Sequence, residues 1–288
     1  EFFMKDAYSF DLDDEQALKS YNKMFFAYLN TFKRMGLEAI PMSADTGPIG
    51  GDLSHEFIIL AETGESKIYS DKRIFDIDIS RYKNEYDSII KMRDKFNQFY
   101  AVTDDKYNKN EFEKKVSKEN QIITRGIEVG HIFYFGDKYS KPMNASVDFQ
   151  GKKMFVKMGS YGVGVSRLVG AIIEAKYDDK NELMKWPLSV SPFDCVIIPM
   201  INKNENSNLE KANNIFKYFK DKNIDTIIDD SDENISTKIK NFNLIGIPFQ
   251  IVIGKKTEGD LLEFNEIGEK TKKIKIAEAA QIIINKKK

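Results

Sequence analysis

The sequence GSYGVGVSRLVGAIIEA, at residues 159–175, places glycines at 159, 162 and 164 before an apolar run. This order differs from the GxGxxG dinucleotide fingerprint, and no Gly-Lys-Ser/Thr follows to form a phosphate loop. The pattern predicts a glycine-rich strand end that enters a helix over about 163–177. Backbone without side chains allows a ligand close approach, and a helix start favours negative charge. The segment therefore either binds an anionic ligand with the help of Arg167, or packs tightly on a sheet while Arg167 pairs with an acid.

Before this stretch, several segments alternate apolar and polar residues as β-strands do. One long helix is predicted between the first two of them. That helix runs from the N-cap Asp13 to a stop at Gly36, because apolar residues recur between them at helical spacing. Residues 80–120 are charged and largely helical in pattern. Strands are predicted at 1–10, 55–61, 127–135, 143–149 and 154–158, and a glycine-rich loop at 47–51. Successive strands with few helices between them indicate an antiparallel sheet with helices packed on it, an α+β fold.

A second domain is predicted after WPLSVSP at 186–192, where two prolines mark a short linker. Strands and helices alternate beyond it, which favours a compact α/β domain with a partly parallel sheet. The predicted strands are 194–200, 224–228, 249–253 and 261–266, and the predicted helices are 207–221, 234–243 and about 276–285.

The composition excludes several classes of protein. The chain has 288 residues, 41% of them hydrophobic and 31% charged, which excludes wholesale disorder. Its 44 basic and 45 acidic residues give a net charge of −1, so charge predicts neither a nucleic-acid nor a membrane partner. The single cysteine, Cys195, excludes a disulfide framework and lies in an apolar run, where we expect it to be buried. No apolar stretch approaches the roughly 20 residues that a membrane helix needs.

The segment RGIEVGH at 125–131 places an acid and a histidine among apolar neighbours on a predicted strand. A carboxylate at Glu128 is suited to hold Mg²⁺, which takes few protein ligands together with phosphate oxygens. The alternative, favoured by the residues alone, is an ion pair between Glu128 and Arg125 at a sheet edge.

The opening strand gathers an unusual set of side chains on one face. Because side chains alternate along a strand, this face is formed by Phe2, Met4, Asp6 and Tyr8. An aromatic ring, a flexible apolar group, an acid and a phenol are more typical of a pocket floor than of a core. His55 and Glu56 are candidates to line the same cavity, although a single histidine near a strand is more often a structural group.

Several long stretches together resemble the bacterial prolyl-tRNA synthetases, a family of class II aminoacyl-tRNA synthetases. The matching stretches are EFFMKDAYSFD at 1–11, GPIGGDLSHEFIILAETGE at 47–65, TRGIEVGHIFYFGDKYSKPMNA at 124–145, GSYGVGVSRLVGAIIEA at 159–175, WPLSVSPFD at 186–194 and LIGIPFQIVIG at 244–254. The resemblance implies a class II antiparallel catalytic sheet, incomplete here, over residues 1–187. It implies an α/β anticodon-binding domain over 188–288.

The resemblance also implies roles for individual residues. Phe2 matches the aromatic that stacks on adenine, and Arg167 matches the arginine of the third family motif, which contacts ATP. Catalytic roles fall to Arg167 and Glu128, and Glu128 is a candidate Mg²⁺ ligand. The implied ATP-binding residues are Phe2, Glu128, Gly162, Gly164 and Arg167, and the implied proline-binding residues are Met4, Asp6, Tyr8, His55, Phe57, His131 and Ser160. The expected cofactors are ATP and Mg²⁺, without zinc.

The implied activity is activation of proline by ATP to prolyl-adenylate, followed by transfer of the prolyl group to tRNA(Pro). The first family motif and the second-motif arginine that grips the α-phosphate do not occur in these 288 residues. The sequence therefore opens in the returning strand of the second-motif hairpin, and we expect this chain alone to be inactive. A homodimer of the full-length protein, a cytoplasmic location and no membrane partner are expected.

Two departures from the family pattern concern specificity. Ser160 stands where many bacterial relatives have a cysteine near the proline pocket. A short helical insert at about 72–123 occupies the place of a large editing domain and is too small for a second active site. A pocket rejects a smaller ligand by only about 1–3 kcal/mol per missing group. We therefore expect formation of alanyl-tRNA(Pro) and reliance on a separate deacylase.

The predicted anticodon-binding domain has no arginine, so other polar residues must contact RNA bases. The candidates are Asp229, Asp230, Lys238 and Lys240. An alternative is that the two acids only cap the helix predicted near residue 234.

Two rival functions are also compatible with the sequence. One is a catalytically silent relative that acts as an RNA-binding or regulatory protein, against which the retained Phe2, Glu128 and Arg167 argue. The other is a related class II enzyme, such as the threonyl or histidyl synthetase. The catalytic half contains no cysteine, so the zinc ligands of a threonyl pocket are not evident.

Overall fold

The computed structural model describes residues 2–44, 53–201, 207–254, 257 and 259–287. The loop predicted at 47–51 and residue Glu1 lie outside this part of the chain. The chain divides into two compact units, residues 1–175 and residues 176–288. The sequence places the domain boundary somewhat later, after residue 187.

The first unit is built on a seven-stranded sheet with the order β1-β9-β6-β3-β2-β5-β4. Neighbouring strands are antiparallel except for β2 and β5, so the predicted antiparallel α+β architecture is confirmed. β7 and β8 form a separate hairpin. The strands are β1 Met4–Asp11, β2 Ile40–Ser43, β3 Leu53–Leu60, β4 Ser66–Asp71, β5 Ala101–Thr103, β6 Gln121–Gly136, β7 Ser146–Phe149, β8 Lys152–Phe155 and β9 Lys157–Gly164.

The long helix predicted near the start of the chain is confirmed. The helices of this unit are α1 Asp14–Arg34, α2 Tyr86–Phe96, α3 Lys109–Lys115 and α4 Val165–Lys176. The carboxylate of Asp13 accepts a hydrogen bond from the Gln16 backbone N–H at 2.8 Å, which satisfies one of the free donors at the start of α1. Gly36 follows the last turn with φ of 72°, a conformation that glycine adopts without strain.

Helix α1 covers one face of the sheet with aromatic side chains. Phe25, Tyr28 and Phe32 pack against Phe57 of β3, with ring centroids 5.2–5.8 Å apart. The approach is close because β6 has Gly130 beneath the helix. A Cβ there would lie 3.1 Å from the Phe32 ring and 3.2 Å from the Tyr28 ring. Each of these buried rings contributes about 1.5–3 kcal/mol through removal of apolar surface from water.

The insert at 72–123 is only partly helical. It contains α2 and α3, but also β5 and the first residues of β6, so it extends the main sheet. The prediction of a largely helical segment missed β5 because three residues, Ala101–Thr103, are too few for a period to be read.

The second unit has the predicted α/β architecture. Its main sheet has the order β13-β12-β14-β15-β16, in which β13, β12 and β14 are parallel and the last two strands are antiparallel. The strands are β10 Tyr177–Asp178, β11 Leu183–Met184, β12 Cys195–Pro199, β13 Thr226–Ile228, β14 Phe249–Ile253, β15 Leu261–Glu266 and β16 Lys272–Lys275. The helices are α5 Ser207–Lys220, α6 Ile235–Ile245 and α7 Ile276–Lys287.

Cys195 is fully buried at the start of β12, as the sequence predicts. Burial raises the pKa of its thiol well above the usual value, and the neighbouring Asp194 acts in the same direction. Among the described residues, no helix has both the length and the apolar character needed to cross a membrane.

Candidate active site

The face of the first sheet opposite α1 is open, and its floor is formed by β1 and β9. Across these strands Met4 pairs with Gly164, Asp6 with Gly162, and Tyr8 with Ser160. Met4 and Tyr8 are 47% and 59% exposed, so this row of side chains faces solvent. Met4, Asp6 and Tyr8 thus share one open face, as the sequence predicts.

The glycine at 162 shapes this floor. A Cβ on Gly162 would lie 3.3 Å from the end of the Met4 side chain and 3.5 Å from the Asp6 carboxylate. Any larger residue would fill the space between these two side chains. The glycine-rich strand therefore leaves a shallow depression that is open to a ligand.

Strands β6 and β3 continue the same face with a polar network. His131 lies opposite Gly162 on one side and Glu56 on the other. Its Nδ1 lies 3.0 Å from a Glu128 carboxylate oxygen, and its Nε2 lies 2.5 Å from the Ser54 hydroxyl. Since a carboxylate accepts, Nδ1 donates to Glu128 and Nε2 accepts from Ser54. His131 is thereby held in one tautomer, and its ring stacks on Phe133 at 3.8 Å.

Two carboxylates and an imidazole converge at this point. Ligand atoms of Glu56, Glu128 and His131 all lie within 4.8 Å of one another. Burial raises the pKa of Glu56 to about 7, and the carboxylates of Glu128 and Asp105 act in the same direction. A cation between the two carboxylates would relieve this repulsion, and carboxylate oxygens are the ligands that Mg²⁺ prefers. The residues present therefore fit the Mg²⁺ site that the family resemblance implies at Glu128.

Arg167 lies at the end of the open face where β9 enters α4. A Cβ on Gly164 would lie 3.2 Å from the Arg167 Cβ, so the arginine stem folds over the glycine. One guanidinium nitrogen donates to the Glu128 carbonyl at 3.0 Å and lies 3.8 Å from the Glu128 carboxylate. Arg167 therefore does pair with an acid, yet its side chain remains 41% exposed and able to meet an anion.

A cavity of about 380 Å³ adjoins this end of the face. Its lining includes Thr63–Ser66, Glu128, Arg167 and one side of α4. The ion pair considered between Glu128 and Arg125 is not found. Arg125 instead donates to the carbonyl oxygens of Gly64 at 2.5 Å and Glu65 at 2.9 Å. Glu128 is left to contact His131 and Arg167.

Phe2 lies two residues before β1, and its side chain is 61% exposed. The next residue, Phe3, is hydrogen-bonded through its backbone to Ser166, the residue before Arg167. The two predicted nucleotide contacts, Phe2 and Arg167, thus extend from segments that are bonded to each other.

His55 and Phe57 do not lie on the open face, contrary to the sequence expectation. They belong to the α1 side, because β3 alternates and directs Ser54 and Glu56 to the other side. His55 is 8% exposed, its Nδ1 lies 2.6 Å from the Tyr21 hydroxyl, and burial lowers its pKa to about 4. Phe57 is fully buried among the rings of α1.

The sequence alone does not identify Ser54 on this face. It indicates Glu56 only as a candidate to line the cavity. The signal for Glu56 is present in the sequence LSHEFIIL at 53–60, where it is the only acid of the strand. Because the strand has apolar residues on both faces, its sequence does not show which face is open.

In the second unit, the structure separates the four predicted RNA contacts. Lys238 is fully buried and donates to the Asp229 and Pro199 carbonyls at 3.0 and 3.3 Å, so it is a structural residue and contacts no RNA base directly. Asp229 accepts from the Ser231 backbone N–H at 3.0 Å. The cap of α6 is Asn234, so the alternative of an aspartate cap is also wrong. Asp230 and Lys240 are exposed.

Comparison with known proteins agrees with this architecture. Residues 1–176 match the family described as tRNA synthetase class II core domain (G, H, P, S and T), and residues 194–286 match the family described as anticodon binding domain. The chain is 66% identical over 288 residues to a protein of Pelagibacter ubique named Proline--tRNA ligase. Relatives with the same name from a Bradyrhizobium species and from Bartonella tribocorum are 50% and 48% identical over 263 and 277 residues.

These matches cover 100%, 89% and 95% of the chain, which spans 65%, 58% and 61% of the three relatives. The matched core family extends over the whole first unit, including every strand of the open face. The chain belongs to the class II tRNA synthetase core family and carries an anticodon-binding domain after that core.

Proposed function

We propose that this chain is the greater part of a proline–tRNA ligase, which activates proline with ATP and transfers it to tRNA(Pro). The observation that carries the proposal is the 66% identity over all 288 residues to a protein of that name. The open face supports it, since it combines a glycine floor, an exposed arginine and a carboxylate cluster. The proposal assigns residues 1–187 to catalysis and residues 188–288 to anticodon binding.

In the first step, a proline carboxylate oxygen bonds to the α-phosphorus of ATP, and the bond from that phosphorus to the bridging oxygen of pyrophosphate breaks. No strong protein nucleophile is needed, because the reaction depends on alignment and on compensation of developing negative charge. We assign charge compensation to Arg167 and adenine stacking to Phe2. Gly162 and Gly164 leave room for the nucleotide.

Magnesium fits the same end of the face, where Glu128 would hold it. When bound, Mg²⁺ neutralises phosphate charge and orients the pyrophosphate leaving group. His131 donates to Glu128 and keeps its carboxylate oriented. The guanidinium of Arg167, bonded to the Glu128 carbonyl, is held beside this cluster.

We assign amino-acid binding to the end of the face where Tyr8 pairs with Ser160. A cationic secondary amine needs hydrogen-bond acceptors, and Asp6 and Glu56 supply them on this face. In this proposed amino-acid pocket, Met4 forms the apolar wall and His131 the polar wall. The buried His55 and Phe57 support the sheet from behind.

The second unit is assigned to tRNA(Pro) recognition, supported by the match to the anticodon-binding family over residues 194–286. Exposed Asp230 and Lys240 are the RNA-contact candidates that remain among the original four. The homodimeric state, the cytoplasmic location, the mischarging of alanine and the separate deacylase form part of the same proposal.

The test is amino-acid-dependent ATP–pyrophosphate exchange by a chimera of full length. It is made by replacing the matching 65% of the Pelagibacter ubique relative with this chain. We expect exchange with proline, weaker exchange with alanine, and none with threonine or histidine. The isolated chain, expected to be inactive, is the comparison sample. A chimera that binds tRNA(Pro) but exchanges with no amino acid would favour the silent RNA-binding alternative.

A further inference from the structure

The ladder between β1 and β9 ends at the pair Met4 and Gly164, but the contact between the two segments continues beyond it. The Phe3 backbone N–H donates to the Ser166 hydroxyl at 3.0 Å. The Ser166 backbone N–H donates to the Phe3 carbonyl at 3.4 Å. Ser166 thus forms a two-way bridge, through its hydroxyl and its backbone N–H, where the regular pairing has stopped.

This bridge satisfies groups that would otherwise lack a protein partner. Ser166 is the second residue of α4, and the first backbone N–H groups of a helix have no acceptor within the helix. The Phe3 carbonyl is that acceptor. Because Phe3 is 81% exposed, water would replace the bridge at little cost in folding free energy. Fold stability therefore does not explain the bridge.

The position of the bridge relates it to the nucleotide. Phe2 comes directly before the bonded residue Phe3, and Arg167 comes directly after Ser166. Arg167 is fixed on its other side by the 3.0 Å bond to the Glu128 carbonyl. The bridge therefore ties together the two segments from which the Phe2 ring and the Arg167 guanidinium extend.

We infer that Ser166 is a positioning residue for ATP, which holds the segment of Phe2 at a fixed distance from Arg167. The inference rests on the proposed function, in which the adenine ring meets Phe2 and a phosphate meets Arg167. Contacts at both ends of one ligand require a defined spacing, and a displacement of about 1 Å can weaken them greatly. Without the hydroxyl, the segment before β1 loses one of the two bonds that tie it to α4.

The experiment compares Ser166→Ala, Ser166→Thr and Ser9→Ala in the full-length chimera. Ser9→Ala is the matched control, because the Ser9 hydroxyl also joins β1 to β9, through the Tyr161 hydroxyl at 2.8 Å, but on the α1 side. Proline-dependent ATP–pyrophosphate exchange gives KM for ATP and for proline. We expect Ser166→Ala to raise KM for ATP about 3- to 10-fold, the range for one lost hydrogen bond, and to leave KM for proline unchanged. Ser166→Thr and Ser9→Ala should match the parent protein.

Two results would overturn the inference. One is a KM for ATP in Ser166→Ala that equals that of Ser9→Ala. The other is an equal rise of both KM values in Ser166→Ala that Ser166→Thr does not rescue. If the parent chimera shows no exchange, the proposed function fails by itself. The inference then still stands or falls on ATP affinity, measured by calorimetry for the parent and Ser166→Ala.

Discussion

The two main sheets of this chain are buried to different extents. In the second unit, β12 is buried along its whole length. Cys195 and Ile197 pack into one apolar cluster, and Val196 and Ile198 into another. In the first unit, β1 alternates between exposed and half-buried residues, because α1 covers only one side. A sheet covered on both faces has no surface for a ligand, so the proposed catalytic site lies on the open face of the first sheet.

The same residue types behave differently on the two faces of the first sheet. On the α1 side, Phe57 and His55 are buried and their contacts are apolar or structural. On the open side, Tyr8 is exposed and His131 joins a polar network. Residue type alone therefore does not identify a site residue here; the face of the strand does.

The largest expected effect is on the covered face. Phe57→Ala should lower the free energy of unfolding of the first unit by about 3–5 kcal/mol, because it leaves a cavity among the α1 rings. Met4→Ala, on the open face, is the matched control and should change it by less than about 0.5 kcal/mol. Native-state hydrogen exchange of the β6 amides measures both. Equal losses in the two variants would show that the faces do not differ as described.

The next effect concerns catalysis on the open face. Arg167→Ala should reduce proline-dependent exchange by about 100- to 1,000-fold, since it removes one group that compensates transition-state charge. Protection of the β6 amides should not change, because the Arg167 side chain is 41% exposed. Near-normal exchange in the chimera would contradict the role assigned to this arginine.

Sequence patterns predicted an element correctly where a single local signal, such as a helix cap or an alternation, was unambiguous. The cap at Asp13, the stop at Gly36 and the alternation of 1–10 each predicted their elements. Strand β16 was missed because Ile274 is the only buried residue among three lysines. The face of His55 and Phe57 was not readable, because β3 is apolar on both sides and its register shifts between Phe57 and Ile58.

The other features that the sequence did not predict depend on contacts between residues distant in sequence. Lys238 is a predicted RNA contact, yet it is fully buried because two backbone carbonyls and Asp229 surround its ammonium group. The bond from Phe3 to Ser166 joins residues 163 positions apart. No local pattern contains such pairs, since they arise only when strands are placed side by side.

A smaller effect is expected in the fully covered sheet. Cys195→Ser should destabilise the second unit by about 1–3 kcal/mol, because it buries a hydroxyl in an apolar cluster. Cys195→Ala should cost less, although serine is closer to cysteine in shape. Hydrogen exchange of the β14 amides compares the two variants. A serine variant as stable as the alanine variant would show that β12 is accessible to water.

The most direct test uses two neighbouring residues on opposite faces of β3. Glu56→Gln should raise KM for proline about tenfold in the chimera, since it weakens a charge-assisted hydrogen bond. It should not lower the melting temperature, because the raised pKa of Glu56 means that its negative charge opposes folding. His55→Gln should lower the melting temperature and leave KM for proline unchanged. If His55→Gln raises KM for proline as much as Glu56→Gln does, the open face is not the amino-acid site.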